Sequence, residues 1–183
     1  TMSGTNALLN LFMTIINPGE NILLPEPYFP LYGPDATLVG GEAKYYPCLF
    51  DHEFIPQVAD LEALVDDRTV AILYNFPSNP TGGTLNEQQR DDLLAFAAKH
   101  DLWIISDEVY DRIVFETEHV SFMGTGYDKL MVVNSFSKTF AMTGWRIGYI
   151  VSTNLEAMKQ VVKIQYYISA CSNDAMQYAV LEA

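Results

Sequence analysis

A chain of 183 residues, 49% of them apolar, set against roughly 150 for an average domain, makes one globular domain with ample material for a core. Charged residues are only 18% of the total, below the roughly 25% usual in soluble domains, which excludes a disordered acidic tail and hints at surface that faces another domain or subunit. The net charge of −13 speaks against nucleic acid and anionic membranes as partners, since binding phosphates takes a dense field of Lys and Arg.

In chain order, apolar segments alternate between two periods. Ser3, Gly4, Thr5 and Asn6 lead into a helical stretch over 7–16, and a strand follows over 21–24. Beyond Pro27, Tyr28, Phe29 and Pro30 come a helix near 31–39, a strand over 43–46, a short helix over 61–65 and a strand over 70–76. A loop running from Asn75 to Gly83 holds two prolines and two glycines, and helix 86–99 starts near Thr84 or Asn86 with Glu87 or Gln89 placed for a capping box. Strands over 102–106, 131–134 and 147–151 and helices over 155–168 and 173–183 complete the chain.

Repeated strand, helix, strand predicts an α/β domain with a mostly parallel sheet covered on both faces. The link from Phe136 to Arg146 is short of the dozen or more residues that a parallel crossover needs, so strand 147–151 is expected to run antiparallel. No internal boundary, repeat or linker is visible. Thr1 lies almost at a helix start and Ala183 falls inside a helical pattern, so the chain is expected to be an excised segment.

No uncharged run reaches the roughly 18 to 20 apolar residues of a membrane span, and the start lacks a basic leader with a cleavage site. Cys48 and Cys171 show neither disulfide nor zinc spacing, and His52, His100 and His119 show no metal spacing, so no metal is expected and a reducing cytoplasm is the default location. Gly124-Thr125-Gly126 lacks the third glycine of a dinucleotide fingerprint.

Ligands of open α/β sheets sit outside the carboxyl ends of the strands, and four such ends are unusual here. Lys138 is the only charged side chain between Leu130 and Trp145; it is either a surface lysine on a polar loop or, if buried, an amine whose neutral form is favoured and which can act as a nucleophile. Asp107, with Tyr110 three residues on, either caps a following helix or holds a cationic nitrogen of a ligand. The loop after Asn75 is either a plain turn or a rigid mount for the Asn79 amide. Ser3, Gly4 and Thr5 either cap a helix or form a phosphate cup, to which Ser135 and Arg146 could add a hydroxyl and a charge. Otherwise Ser135 is a core hydroxyl and Arg146 a surface ion-pair partner.

A lysine amine, a carboxylate, an amide loop and an anion cup are together what pyridoxal phosphate requires. With Asn79-Pro80-Thr81-Gly82, Asp107-Glu108-Val109-Tyr110, Ser135-Phe136-Ser137-Lys138 and Gly144-Trp145-Arg146-Ile147-Gly148 in this order, the sequence resembles, nearly end to end, the large domain of the class I/II aminotransferases of fold type I. The resemblance implies a three-layer αβα sandwich with a sheet of about seven strands, one of them antiparallel. It also implies pyridoxal 5′-phosphate as cofactor, an amino acid and a 2-oxo acid as substrates, and a homodimer.

By that resemblance Lys138 forms the Schiff base and shuttles the substrate proton, and Asp107 keeps the pyridine nitrogen protonated. Asn79 and Tyr110 bind the ring 3′-oxygen, Ser3, Gly4, Thr5, Ser135 and Arg146 bind the phosphate, and Phe29 stacks on the ring, although Phe29 and its neighbour Tyr28 could equally be core aromatics. Family members also carry an N-terminal segment and a small domain with a carboxylate-binding arginine, which residues 1–183 do not supply. The same cofactor residues serve lyases and 1-aminocyclopropane-1-carboxylate synthase-like enzymes. They also occur in transcription regulators with an aminotransferase-like sensor domain, but no basic helix-turn-helix occurs here.

Overall fold

The computed structural model describes all residues from Thr1 to Ala183. Strands β1 (Asn21–Glu26), β2 (Glu42–Pro47), β3 (Thr69–Asn75), β4 (Trp103–Asp107), β5 (Leu130–Ser135) and β6 (Gly148–Val151) form one sheet in the order β2-β1-β3-β4-β5-β6. The first five are parallel, and β6 pairs antiparallel with β5. Helices α1 (Gly4–Ile15), α2 (Tyr32–Leu38), α3 (Val58–Leu64), α4 (Glu87–Lys99), α5 (Leu155–Ser169) and α6 (Asp174–Ala179) account for the helical segments.

The strands are apolar on both faces because both faces are covered. Ile22, Leu24, Ala71, Leu73, Ile105, Met131 and Val133 pack with Leu8, Leu11 and Phe12 of α1, Ala36 of α2 and Val161 of α5. Their neighbours Leu23, Ile72, Tyr74, Ile104 and Val132 point the other way, onto Leu61 of α3 and Leu93 and Phe96 of α4. This is the three-layer αβα sandwich. Helix α4 uses Asn86 and Gln89 for its reciprocal capping box, which decides between the two candidate starts.

Two expectations are corrected and one alternative is decided. The sheet has six strands, not about seven: the place beside β6 is taken only by Thr1, which exchanges two backbone hydrogen bonds with Gly148, too short a pairing to make a strand. The last helix is shorter than 173–183, ending at Ala179, and none of its residues is buried, so no packing extends it. No helix follows Asp107, where the chain turns instead, so this carboxylate is not a helix cap. No helix is long and apolar enough to cross a membrane.

Candidate active site

Four parallel strands, β1, β3, β4 and β5, deliver their carboxyl ends to one side of the sheet, and the order reverses between β1 and β3. At that side Ser3, Gly4, Thr5, Phe29, Asn79, Asp107, Tyr110, Ser135, Lys138 and Arg146 line a single cavity of about 180 Å³. A cavity of roughly 150 Å³ holds one benzene ring, so this one suits a single six-membered ring.

At one end of the cavity the chain offers hydrogen-bond donors with nothing to bond. Ser3 caps α1, its hydroxyl accepting from Asn6 N–H at 3.0 Å. The next two N–H groups, of Gly4 and Thr5, have no acceptor within the chain. The Ser135 hydroxyl and the exposed Arg146 guanidinium stand beside them; only Nη1 of Arg146 is engaged, donating to the Thr143 carbonyl at 2.6 Å. Gly148 makes the arrangement possible. A Cβ there would lie 2.6 Å from both Gly4 N and the Ser3 carbonyl carbon, so any side chain would push the start of α1 off β6.

At the floor lies Asp107, 3% exposed. The Tyr32 hydroxyl donates to its Oδ2 at 2.7 Å and Val109 N–H to its Oδ1 at 3.3 Å. Burial pushes the carboxyl up to about 6. The two hydrogen bonds and the Lys138 ammonium counter that push, while the charge of Glu108 adds to it. A buried carboxylate so poorly compensated is best satisfied by a cation.

Asn75 knits the loops together: its Nδ2 donates to the Asp107 carbonyl at 3.0 Å and its Oδ1 accepts from Asn79 N–H at 2.8 Å. The Asn79 side chain thereby reaches Tyr110, Nδ2 to hydroxyl 3.5 Å, and the Lys138 Nζ lies 5.5 Å from the centre of the Tyr110 ring. Phe29, half-buried, meets the Tyr32 ring edge-on at 5.6 Å.

Of the two settings that the sequence leaves open for Lys138, the exposed one holds. The loop around it carries few charges because it packs its aromatic residues together, Phe136 against Phe140 and Tyr149, and not because it covers the amine.

Tyr32, Asn75 and Gly148 escaped the sequence reading. Tyr32 reads as a core position of a short helix, and only the fold brings it to Asp107, 75 positions away. Gly148 stood inside a recognised motif whose geometric reason was not visible. Removing the Tyr32 hydroxyl tests the first point. Tyr32→Phe is expected to move the Asp107 midpoint above its present value of about 6 and to cost about 1–3 kcal/mol at pH 8. The carbon-13 shift of the Asp107 carboxyl through a pH titration checks this, and an unmoved midpoint would show that the hydroxyl contributes nothing.

Comparison with known proteins agrees with the geometry. The profile of the aminotransferase class I and II family matches residues 1–183. The aspartate aminotransferase of Thermotoga maritima is 36% identical over 185 aligned residues, taking in 100% of this chain and 49% of that protein. The aspartate aminotransferase of Pyrococcus abyssi is 35% identical, with 47% of its length covered. The solved structure of the Thermus thermophilus aspartate aminotransferase with maleate superimposes with a TM-score of 0.96 at 32% identity, over 100% of this chain and 48% of that one. The chain thus spans about half the length of the relatives it matches. With a family profile matched from end to end and the same fold in its relatives, this chain belongs to the aminotransferases of class I and II.

Proposed function

We propose that these residues form the pyridoxal phosphate-binding large domain of an enzyme that moves an α-amino group from an amino acid to a 2-oxo acid. One observation carries the reading: an amine, a buried carboxylate and a set of unpaired anion donors converge on one ring-sized cavity. The family is generally dependent on pyridoxal phosphate, and the donor set fits that group. The free N–H groups of Gly4 and Thr5, the Ser135 hydroxyl and the uncommitted guanidinium nitrogens of Arg146 suit a phosphate dianion at a helix N-terminus. Asp107 suits a protonated ring nitrogen.

When bound, the cofactor supplies an aldehyde for an amine to condense with and a ring that takes up electrons. The chain's own residues do the rest. The Lys138 amine would be the group that condenses with that aldehyde, with loss of water, and as a free amine it would take the proton from the substrate α-carbon. Asp107 would hold a proton on the ring nitrogen, its own ionisation favoured by that positive charge. Asn79 and Tyr110 would bind the ring 3′-oxygen. Phe29 would stack on the ring, an aromatic contact worth about 0.5–1.5 kcal/mol beyond burial.

Shielding of the exposed Lys138 we assign to a second copy of the chain, in a homodimer, and to parts of the protein outside these residues. The exposed apolar side chains of α5, of α6 and just beyond it, among them Tyr166, Tyr167, Tyr178 and Leu181, suit such cover. A reducing cytoplasm suits the unpaired Cys48 and Cys171.

The test uses the full chain that carries these residues. It is mixed with pyridoxal phosphate, reduced with borohydride and mapped for modified lysine, then assayed for loss of amino groups from several amino acids with and without a 2-oxo acid. Label on Lys138 and transfer that requires the acceptor are expected. Label elsewhere overturns the site, and amino-group release without an acceptor replaces transfer by a lyase reaction.

A further inference from the structure

The strap that carries Tyr110 leaves β4 after Asp107 and has returned by Phe122, and one buried carboxylate holds both of its ends. Glu108 is 4% exposed. Its Oε1 accepts from the Ser106 hydroxyl at 2.8 Å and from Phe122 N–H at 3.1 Å, and its Oε2 lies 2.9 Å from His119 Nε2. Burial pushes the carboxyl up, but hydrogen bonds from His119, Ser121 and Ser106, with the charge of His119, outweigh it and hold the group below the usual glutamate range.

Between these anchors the strap has little to hold it. Asp111 N–H bonds to the Glu108 carbonyl and Ile113 N–H to the Tyr110 carbonyl, after which no backbone group from Val114 to Val120 is bonded within the chain. Near the return point Arg90 Nη1 donates to the Ser121 carbonyl at 3.3 Å, and buried Phe122 stacks on Tyr74. Neither Glu108 nor His119 lines the cavity. Yet Tyr110 is two residues from Glu108, and its hydroxyl meets Asn79 at 3.5 Å, the long limit of a hydrogen bond, where a small displacement breaks the contact.

We infer that Glu108 and His119 are positioning residues, a buried clasp that closes the strap 109–121 and so fixes the Tyr110 phenol beside Asn79 and above Lys138. The effect on the cofactor rests on the function proposed above; the clasp itself is a property of the bare chain. An ordinary core ion pair predicts something else, a general loss of stability with Tyr110 left in place.

Glu108→Ala would bury two donors without a partner and endanger the fold, so His119→Ala, at the partly exposed rim, carries the experiment in the full chain. His119→Gln, whose amide can still donate to Glu108, is the rescue. Without cofactor, limited proteolysis is expected to cut within 111–118 about tenfold faster or more in His119→Ala and at the wild-type rate in His119→Gln. With pyridoxal phosphate, His119→Ala is expected to shift the absorbance maximum of the bound cofactor in the direction that Tyr110→Phe shifts it, and to add nothing in the Tyr110→Phe background. Unchanged cleavage, or an absorbance shift that adds fully to that of Tyr110→Phe, overturns the inference. If wild-type Lys138 takes no label, the proposed function fails, while the cofactor-free proteolysis still decides the clasp.

Discussion

Under the proposed function, Lys138→Ala in the full chain is expected to lower amino transfer by roughly ten-thousand-fold or more while leaving the fold intact. On that proposal the amine would do two things that no neighbour can take over, condense with the cofactor's aldehyde and carry the substrate proton. The other basic group on the cavity wall, Arg146, is a guanidinium that neither deprotonates nor acts as a nucleophile. Lys138 is exposed and packs only loosely over the Tyr110 ring at 5.5 Å, so its truncation should change stability by no more than about 0.5 kcal/mol. Loss of function without loss of stability is the signature of a group that touches the reacting atoms. Lys138→Arg sharpens the point, because it keeps a positive charge in the cavity and removes only the nucleophile. Steady-state rates beside thermal unfolding of the same preparations settle it, and an alanine variant retaining more than about 1% of the wild-type rate would remove Lys138 from the chemistry.

The fold was legible in this sequence because its central strands are almost fully buried. Segments such as 70–76 and 102–106 are continuous apolar runs bounded by turns, the pattern that a sheet covered on both faces requires. The antiparallel β6 followed from a connection too short for a crossover. Side chains at strand ends stood out for the same reason, although each also had an ordinary reading as a helix cap, a plain turn or a surface lysine. What local pattern cannot encode is contact between distant elements. Tyr32 pairs with Asp107 across 75 positions, and Gly148 is needed only because the start of α1 crosses β6 at that point. The exposure of Lys138 could not be decided from the sequence on the same ground. A shortage of charges along a loop reports what the loop packs against, here Phe136 on Phe140 and Tyr149, and does not report whether a long side chain reaches solvent.

Asp107→Asn is expected to separate stability from function in opposite directions. The carboxyl is pushed up from 3.8 to about 6, chiefly by burial, so between those values the folded chain holds more proton than the unfolded chain. Stability therefore falls as pH rises from about 4 to about 6, and the deficit of about 3 kcal/mol is complete above that window. An amide at the same place does not ionise, so at pH 8 the cofactor-free variant should be more stable than wild type by up to about 3 kcal/mol, less whatever the amide loses in bonding to Tyr32 and Val109. Asp35 is buried and also pushed up to about 6, so part of the pH dependence must survive in the variant.

Function should move the other way. A protonated ring nitrogen beside Asp107 favours the carboxylate, so binding of pyridoxal phosphate to the wild type should tighten as pH rises through about 6, with that step absent in Asp107→Asn. The variant's transfer rate should fall by about a hundredfold to ten-thousandfold, the range of a lost acid–base partner. Denaturant unfolding of the cofactor-free chain and cofactor titrations at pH 5 and pH 8 measure both halves. A variant destabilised at pH 8 and equal to wild type in the pH dependence of binding would show that Asp107 serves the core and not the ring.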